Sequence, residues 1–447
     1  MEDVAVINRK DFEQYQDFIC RLLNSQALFE GLPLLTSNAK TVTFKVTDAC
    51  NLACTYCYQI NKGKDTLSFE NAKKFIDLMF EESYKEGSYL SIETTPAVII
   101  EFIGGEPLLE IDLIDEITDY FKYKAISEKH PWATRYMLSM ISNGVEYFDE
   151  RVQRYLKKNY GKVSFSISLD GCKELHDMCR VFHDGKGSYD MVEKACLHYR
   201  NIDSEMLTKM TIAPENIDWT LKAFVNLAEL GYTTIHANVV YEKGWNVEYA
   251  KTFYEQLKKV SDYLIDNNLE NDIYTSLFED DNFSRPSDLD TKNYCGSTGC
   301  MLACDTKGEI YTCIRFMESS LGDSVKPYPI GHINTGIGVE EEHAERIKEL
   351  DAVTRQSQST EECLNCPVGQ GCGWCTAYNY QETGSVDKRV TYICDMHKSR
   401  SLANVYHWNR VYKKNNEDKK FKMNLPKEDA LKYIDEAEYE MLFELQS

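Results

Sequence analysis

Residues 41–57 read TVTFKVTDACNLACTYC, a short strand pattern that runs directly into three closely spaced cysteines. The β-branched residues over 41–47 predict a β-strand. Cys50, Cys54 and Cys57 would then lie in the loop at the carboxyl end of that strand, where barrel proteins place their chemistry. Three thiolates on a four-iron cluster leave one iron open to a small molecule, whereas a structural zinc site closes with four ligands. A structural zinc knuckle that lacks one ligand is the alternative interpretation.

Downstream of this segment, short apolar runs alternate with longer amphipathic stretches, which is typical of βα units around a parallel sheet. The pattern predicts six strands, at 41–47, 97–103, 136–142, 163–169, 206–212 and 233–239. We therefore predict an α/β protein whose first large domain is an open, partial (β/α)6 barrel of the TIM type. The alternation stops near residue 241, and a helical, acidic stretch follows as far as the loop DDNFSRPSDLD.

The chain has 447 residues, 16 cysteines and a formal net charge of -22. No long basic run could neutralise a phosphate backbone, so nucleic acid is a poor candidate partner. The N-terminus lacks a secretory pattern, and no segment approaches about 18 consecutive apolar residues, which predicts a cytoplasmic protein with no membrane partner. In a reducing compartment, clustered cysteines indicate metal ligands and isolated ones indicate packing. We assign Cys20, Cys196, Cys172 and Cys179 to packing.

Further motifs follow the later strands in order. Gly104, Gly105, Glu106 and Pro107 close the second strand, Ser142 and Asn143 follow the third, Ser166, Ser168 and Asp170 end the fourth, and Arg180 comes next. Together with the Cys-x3-Cys-x2-Cys spacing and Tyr56 before the third cysteine, these motifs resemble those of the radical S-adenosylmethionine (SAM) superfamily. Simple turn chemistry or a surface ion pair is the structural alternative for Ser166, Ser168 and Arg180.

This resemblance implies that Cys50, Cys54 and Cys57 hold a [4Fe-4S] cluster whose open iron is chelated by SAM. An electron from the cluster would cleave the sulfonium bond, giving methionine and a 5'-deoxyadenosyl radical that abstracts hydrogen from a substrate. The family pattern counts Tyr56 and the GGEP residues 104–107 among the cofactor contacts, with Glu106 on the cofactor amine. The polar positions after strands three and four would contact ribose and carboxylate, and the planar guanidinium of Arg180 would pair with the carboxylate.

Nine of the sixteen cysteines fall between Cys295 and Cys394, in a glycine-rich region too irregular to supply its own apolar core. This region resembles the SPASM domain, an extension of peptide-modifying members of the superfamily that carries two auxiliary [4Fe-4S] clusters. The resemblance implies an inner cluster on Cys295, Cys313 and Cys375, with Cys300 as a possible fourth ligand, and an outer cluster on Cys363, Cys366, Cys372 and Cys394. Three [4Fe-4S] clusters are therefore expected in total.

Two points of this assignment stay open. Cys304 falls where the fourth inner ligand could also lie, and without either candidate the inner cluster would have an open iron able to bind a substrate thiolate. Only Gly373 and Trp374 precede Cys375, one residue fewer than the family usually has. Two zinc sites of four cysteines each are the competing structural interpretation.

The motifs favour a maturase that forms a thioether or carbon-carbon link in a ribosomally made precursor peptide, with an external electron donor such as flavodoxin or ferredoxin. The segments KMTIAPENI and HANVVYEKGW also resemble maturases of short cysteine-containing peptides. An anaerobic sulfatase maturase is the second hypothesis. Its general base is an Asp directly after the cysteine at position 313, but here the residue is Ile314, followed by Arg315, so another carboxylate such as Glu309 would have to serve.

A third hypothesis is an iron-sulfur electron carrier or a peptide-binding module, which would have no use for the GGEP segment.

The predicted organisation is a helix and lead-in at 1–40, the barrel at 41–240, a helical bridge at 241–290, the SPASM region at 291–400 and a helical tail at 401–447. The first 40 residues predict one helix, which is too short for the winged-helix element that many peptide maturases carry. A single amphipathic helix is predicted over 426–446.

Overall fold

The computed structural model describes residues 39–446 apart from positions 204, 205, 207, 281, 293, 294 and 300. The predicted N-terminal helix, Cys20 and Cys300 lie outside the described residues. The strands of the described part are β1 (Ala39–Thr47), β2 (Ala97–Gly104), β3 (Tyr136–Ser142), β4 (Val163–Ile167), β5 (Thr208–Ile212), β6 (Thr234–Val239), β7 (Tyr274–Thr275), β8 (Met301–Cys304), β9 (Glu309–Tyr311), β10 (Gly331–His332) and β11 (Gly336–Ile337).

The α-helices of the described part fall between and after these strands. They are α1 (Phe69–Ser83), α2 (Ile111–Ser127), α3 (Glu150–Lys158), α4 (Lys173–Cys179), α5 (Tyr189–Arg200), α6 (Thr220–Glu229), α7 (Val247–Asp266), α8 (Glu341–Ala352), α9 (Arg355–Gln358), α10 (Glu361–Leu364), α11 (Thr376–Thr383), α12 (Cys394–Lys414), α13 (Lys427–Ala430) and α14 (Glu436–Leu445). Short 3₁₀ turns lie at Pro107–Glu110, Pro131–Ala133, Pro214–Trp219 and Ile314–Phe316. In the described ranges, no helix has the length and apolar character needed to cross a bilayer.

The six predicted strands are all present, with ends within two residues of the predicted ones, which confirms the α/β fold. Strands β1 to β4 pair in parallel in sequence order, and β5 pairs in parallel with β6. The ladder is interrupted between β4 and β5, so the barrel strands form two sheets. Side chains bridge this gap: Thr208 Oγ1 donates to Leu169 O at 3.3 Å, and Thr211 N donates to Asp170 Oδ1 at 3.1 Å.

Short strands from the C-terminal half extend both sheets. β7 adds to β6, and β8 pairs in parallel with the free edge of β1. β9 then pairs antiparallel with β8, and β10 and β11 complete the larger sheet. Pairing β8 with β1 satisfies the backbone donors and acceptors that an open barrel would leave exposed at that edge. The cysteine-rich region is therefore joined by backbone hydrogen bonds to the strand that precedes the first three cysteines.

The C-terminal tail differs from the prediction. α12 is a 21-residue helix that packs along α7, with Tyr406 OH donating to Asp262 Oδ1 at 2.7 Å. The single helix predicted over 426–446 is wrong, because α13 and α14 are separate. Asp435 lies between them in an extended conformation and accepts a hydrogen bond from Glu438 N at 2.8 Å, so it caps a new helix.

Candidate functional site

The first cysteine loop is attached to the ends of β1 and β2 by backbone hydrogen bonds. Gly105 N donates to Thr47 O at 3.0 Å, and Glu106 N donates to Ala49 O at 2.9 Å. A Cβ atom added to Gly105 would lie 2.2 Å from Ala49 O, so only glycine permits this approach. The glycines of the GGEP segment therefore hold the residues just before Cys50 in place.

The carboxylate of Glu106 is buried and joins β2 to the end of β3. Its Oε1 accepts hydrogen bonds from Ser142 Oγ at 2.7 Å and Leu108 N at 3.0 Å, and its Oε2 accepts one from Asn143 N at 2.8 Å. Burial raises the pKa of Glu106 to about 7, although these three donors oppose the rise. Glu106 thus fixes Ser142 and Asn143, two of the predicted cofactor contacts.

Asn143 continues this network to the sulfur of Cys50. Its Nδ2 donates to Asn51 Oδ1 at 2.7 Å and lies 3.9 Å from Cys50 Sγ. Leu52 N donates to the same sulfur at 3.4 Å. N–H donors around a sulfur stabilise a thiolate, the form that binds metal. A chain of hydrogen bonds therefore runs from the buried Glu106 to Cys50.

The segment around Arg180 packs against the other side of the cysteine loop. Ala53 N donates to Val181 O at 2.7 Å, and Thr55 N donates to Cys179 O at 2.9 Å. This pairing brings Arg180 close to Cys54: burial raises the pKa of the Cys54 thiol, and the Arg180 charge opposes that rise. The predicted cofactor contact Arg180 is thus beside the predicted cluster ligands.

Asp170 lies at the gap between the two sheets and accepts hydrogen bonds from three donors. It is completely buried, and its Oδ2 accepts hydrogen bonds from Arg180 Nε at 2.8 Å and from Tyr56 OH, while Thr211 N reaches Oδ1. The guanidinium of Arg180 also lies 5.4 Å from the centre of the Tyr56 ring. Arg180 therefore belongs to a buried ion pair rather than a surface one. This cluster ties Tyr56, in the cysteine loop, to the ends of β4 and β5.

Ser166 and Ser168 line a cavity of about 630 Å³ inside the barrel. Lys209 and His236, from β5 and β6, line it as well, and its far side is formed by residues 370–374 of the cysteine-rich region. Ser168 N donates to Ser142 O at 2.9 Å, which places the serine next to the Glu106 network. The cavity therefore connects the polar strand ends with the C-terminal cysteines.

The structure brings together Cys295, Cys313 and Cys375, the cysteines of the predicted inner group. Burial raises the pKa of Cys313 to about 12, and the neighbouring Cys375 and Cys295 contribute to the rise. Cys304 is fully buried on β8, and beyond burial the charges that raise its pKa are Asp305 and Glu309 rather than cysteines. Of the two candidates for a fourth ligand, Cys304 thus belongs to the core.

The four cysteines of the predicted outer group are also neighbours. Burial raises the pKa of Cys394 to about 12, and Cys372 and Cys363 add to the rise. Cys366 and Cys363 likewise raise the pKa of Cys372 after burial. These cysteines come from α10, the irregular loop after it and the first residue of α12.

The donor chemistry of these groups fits iron-sulfur clusters. Buried thiols whose pKa is raised do not ionise alone, and metal ligation removes their protons. None of the cysteines in the described ranges forms a disulfide. Within the same ranges, no three His, Cys, Asp or Glu side chains are grouped tightly enough to hold a single metal ion. An iron-sulfur cluster does not require such grouping, because each thiolate binds a different iron atom. Cys172, Cys179 and Cys196 are buried in the core, which confirms their assignment to packing.

A second cavity, of about 200 Å³, lies between the first cysteine loop and the inner group. It is lined by Cys57, Tyr58, Glu242 and Arg315 among others. Arg315 NH2 donates to Glu242 Oε1 at 2.6 Å, and its guanidinium lies 5.4 Å from the centre of the Tyr58 ring. Burial raises the pKa of Tyr58, and the nearby Cys57 and Cys313 add to the rise, so this tyrosine lies between the two cysteine groups. The Arg315–Glu242 pair joins the barrel to the C-terminal region.

Sequence reasoning did not identify Glu242 as a site residue, although the segment HANVVYEKGW was singled out. The available signal was a charged residue directly after the last barrel strand, at the edge where active sites lie. Glu309, proposed as a substitute base, is on β9 and pairs with His332 of β10. It is not among the residues that line the cavity beside Cys57.

Residues 44–228 match the family model of the radical SAM superfamily. The chain is 26% identical over 352 residues to the mycofactocin maturase MftC of Mycolicibacterium smegmatis, covering 76% of this chain and 78% of that protein. It is 22% identical over 383 residues to the serine-type anaerobic sulfatase-maturating enzyme of Bacteroides thetaiotaomicron, covering 77% of this chain and 84% of the relative.

Solved structures share the fold at low sequence identity. The structure of anSMEcpe with bound AdoMet superimposes with a TM-score of 0.62 and 18% identity, over 84% of this chain and 99% of that one. Streptococcus suis SuiB bound to the precursor peptide SuiA gives a TM-score of 0.54 and 12% identity, over 85% and 79% of the two chains. These values show a common architecture.

Residues 44–228 thus match a radical SAM domain, and the chain shares the partial-barrel fold of the solved radical SAM structures. The matched domain and the relatives indicate an enzyme that is similar to radical SAM maturases. A [4Fe-4S] cluster and SAM come with this family, and the cysteine-rich C-terminal region is consistent with a SPASM domain.

Proposed function

We propose that this enzyme cleaves SAM reductively to a 5'-deoxyadenosyl radical and uses it to install a thioether or carbon-carbon cross-link in a ribosomally made peptide. The observation that carries the proposal is the cavity lined by both Cys57 and Arg315. A peptide residue in that cavity would lie between the first cysteine group and the inner C-terminal group. The relatives support a peptide substrate, because one is named a maturase and SuiB was solved with its precursor peptide.

In this proposal each cysteine group has a separate task. Cys50, Cys54 and Cys57 hold the cluster that supplies the electron for SAM cleavage, and residues 104–107, Ser142, Asn143, Ser166, Ser168, Asp170 and Arg180 form the surroundings of SAM. Cys295, Cys313 and Cys375 hold the inner auxiliary cluster, with Cys300 as the remaining candidate ligand. Cys363, Cys366, Cys372 and Cys394 hold the outer one. An external donor of the flavodoxin or ferredoxin type reduces the enzyme in the cytoplasm.

Ile314 supports cross-linking over formylglycine formation. It begins a one-turn 3₁₀ helix directly after Cys313, at the position where sulfatase maturases have their general base, and its side chain cannot accept a proton. The Ile314 side chain instead joins the apolar packing around the core. Next to Ile314, the cavity is lined by Arg315, whose guanidinium is paired with Glu242.

A sulfatase maturase is the second candidate, and Glu242 is the observation that favours it. The Glu242 side chain is 40% exposed and lines the same cavity as Cys57, so it offers a carboxylate within the site. It could take over the task that Ile314 cannot perform. The sequence relative from Bacteroides thetaiotaomicron is named as such a maturase.

The two candidates are separated by incubating the reconstituted enzyme anaerobically with SAM, dithionite and, in separate reactions, a short cysteine-rich peptide or a sulfatase-type peptide. A cross-link appears as the loss of two hydrogens without an aldehyde, and a thioether also removes one thiol that reacts with iodoacetamide. A product that reacts with a hydrazide probe contains formylglycine and would overturn the cross-linking proposal. Cys54→Ala is the matched control, because it should give neither product.

A further inference from the structure

Each of the three cysteine groups has a guanidinium beside it, but the counter-charges differ. Arg180, near Cys54, is paired with Asp170 at 2.8 Å. Arg315, near Cys313, is paired with Glu242 at 2.6 Å. The outer group has two arginines, Arg355 and Arg389, and among the described residues neither meets a carboxylate within ion-pair distance. Arg355 and Arg389 therefore lack a direct ion pair in the described part of the chain, and Asp288 acts on Arg355 only through its charge.

Arg389 contacts the outer group directly. Its NH2 donates to Cys372 Sγ at 3.0 Å, to Cys372 O at 3.1 Å and to Gly373 O at 2.9 Å. NH1 reaches only a hydroxyl, Ser359 Oγ, at 3.5 Å. The residue is 9% exposed, so water screens this charge weakly. A charged N–H donor is thus directed at a predicted ligand sulfur.

Arg355 supplies the second charge from the neighbouring loop. Its NH1 donates to Gly369 O and its NH2 to Gln370 O, both at 2.9 Å. Its Nε–H is buried and has no hydrogen-bond acceptor among the residues that the structure describes. Burial raises the pKa of Cys372, and the charges of both arginines oppose that rise, which shows that both act on the same thiol.

We propose that Arg389 and Arg355 are positioning residues that raise the reduction potential of the outer auxiliary cluster above that of the inner one. The inference rests on the proposed function, in which Cys363, Cys366, Cys372 and Cys394 hold a [4Fe-4S] cluster. Reduction adds one electron and hence one negative charge, which nearby cations stabilise. Hydrogen bonds to the sulfurs, net charge and solvent exposure set the potential of such a cluster. At the inner group, Glu242 offsets the charge of Arg315, so the same stabilisation is smaller.

A purely structural role is the competing explanation, because the two guanidiniums also bind the carbonyls of residues 369, 370, 372 and 373. The two roles predict different results for charge-preserving and charge-removing variants. Arg389→Lys keeps the cation but loses the planar fork, whereas Arg389→Gln loses the charge. If the charge sets the potential, the lysine variant stays close to the wild type.

The test is a redox titration followed by electron paramagnetic resonance, on the full chain with Cys50, Cys54 and Cys57 replaced by Ala. This background retains only the two auxiliary clusters, so about eight iron atoms per chain are expected. Arg389→Gln should lower the reduced-to-oxidised ratio of one cluster at a fixed potential by about tenfold, which equals about 59 mV for one electron. Arg355→Gln should act in the same direction, and Arg389→Lys should shift the ratio less than Arg389→Gln.

Arg410→Gln is the matched control. Arg410 is an arginine of α12 paired with Asp262, and it lies 16 residues beyond Cys394, or roughly 24 Å along the helix. It should leave both midpoints unchanged. Full iron content with unchanged midpoints in both glutamine variants would overturn the inference and leave the proposed function standing. A second result would also overturn the inference: iron is lost equally in Arg389→Lys and Arg389→Gln, and the midpoint potential of Arg355→Gln is unchanged. The arginines would then serve the structure of the loop. Iron near four atoms in the background chain that does not fall further in Cys363→Ala would instead refute the outer cluster itself.

Discussion

The first cysteine loop and the outer cysteine group are held in opposite ways. The loop after β1 is fixed by backbone hydrogen bonds from Gly105 and Glu106 and by the network that ends at Cys50. The outer group has Cys363 in a single helical turn, Cys372 in an irregular loop and Cys394 at the start of α12. The ends of the barrel strands hold the first cysteine loop in place. The outer cysteines are held by contacts with two arginines and, in the proposed function, by the metal that they bind.

The two regions also differ in how their buried charges are paired. At the first site the cation Arg180 is balanced by Asp170, and the buried carboxyl group of Glu106 accepts hydrogen bonds from three donors. At the outer site neither Arg355 nor Arg389 forms an ion pair with a carboxylate among the described residues. A thiolate-bound cluster would supply the negative charge. This contrast agrees with the proposed function, in which the barrel receives SAM and a metal cluster completes the outer group.

Replacing one cysteine in each region should give the largest difference in activity. Cys54→Ala should lower the formation of 5'-deoxyadenosine by at least about 1,000-fold, because the ligand set for the electron-donating cluster is broken. Cys363→Ala should retain SAM cleavage but lose the modified peptide. Liquid chromatography of 5'-deoxyadenosine and mass analysis of the peptide measure the two effects. Equal loss of SAM cleavage in both variants would show that the regions do not have separate tasks.

Removing iron should loosen the outer region far more than the barrel. In cluster-free protein, amides of residues 363–375 should exchange hydrogen about 100-fold faster than in loaded protein, because metal binding contributes directly to folding there. Amides of residues 97–106 should change by less than about tenfold, since their hydrogen bonds are internal to the sheet. Hydrogen exchange followed by mass spectrometry measures both segments in one sample. Equal acceleration in the two segments would contradict the contrast drawn above.

The sequence predicted the barrel well because its signals are local. Alternating β-branched residues identified six strands, and the cysteine and GGEP motifs marked the ends of two of them. The strands β7 to β11 were missed because they have only two to four residues and no periodic pattern. The pairing of β8 with β1 joins residues about 260 positions apart, such as Thr41 and Met301, and no local pattern encodes such a contact.

Within the site, motifs identified residues but not their partners. The sequence placed Glu106 near the cofactor, yet its three hydrogen bonds to Ser142, Asn143 and Leu108 depend on how β2 and β3 align. Glu242 and Arg389 were missed altogether, because a single charged residue outside a motif gives no signal until folding sets its neighbours. The terminal helix was predicted as continuous because its apolar spacing is regular, but Asp435 starts a new helix.

Glu106 provides the smallest and most quantitative test of the first region. Its pKa rises from 4.5 to about 7 on folding, so the folded protein retains a proton that the unfolded chain releases above pH 4.5. This contribution to the free energy of unfolding is complete below pH 4.5 and is lost as the pH rises through 7. The difference amounts to roughly 3 kcal/mol. Urea unfolding of the wild type and Glu106→Gln between pH 5 and 8, at equal iron content, measures it.

Glutamine cannot titrate, so the gap in unfolding free energy between the two proteins should change over this range in favour of the variant. Its amide group faces the N–H of Asn143 and the hydroxyl of Ser142, which adds a destabilisation that does not depend on pH. Glu110→Gln, at a partly exposed carboxylate four residues further on, is measured in parallel as the control. A constant gap between wild type and Glu106→Gln would mean that the three donors outweigh burial and keep the carboxylate ionised. In that case the first site would carry a permanent negative charge beside Cys50, and its electrostatics would be opposite in sign to those of the outer group.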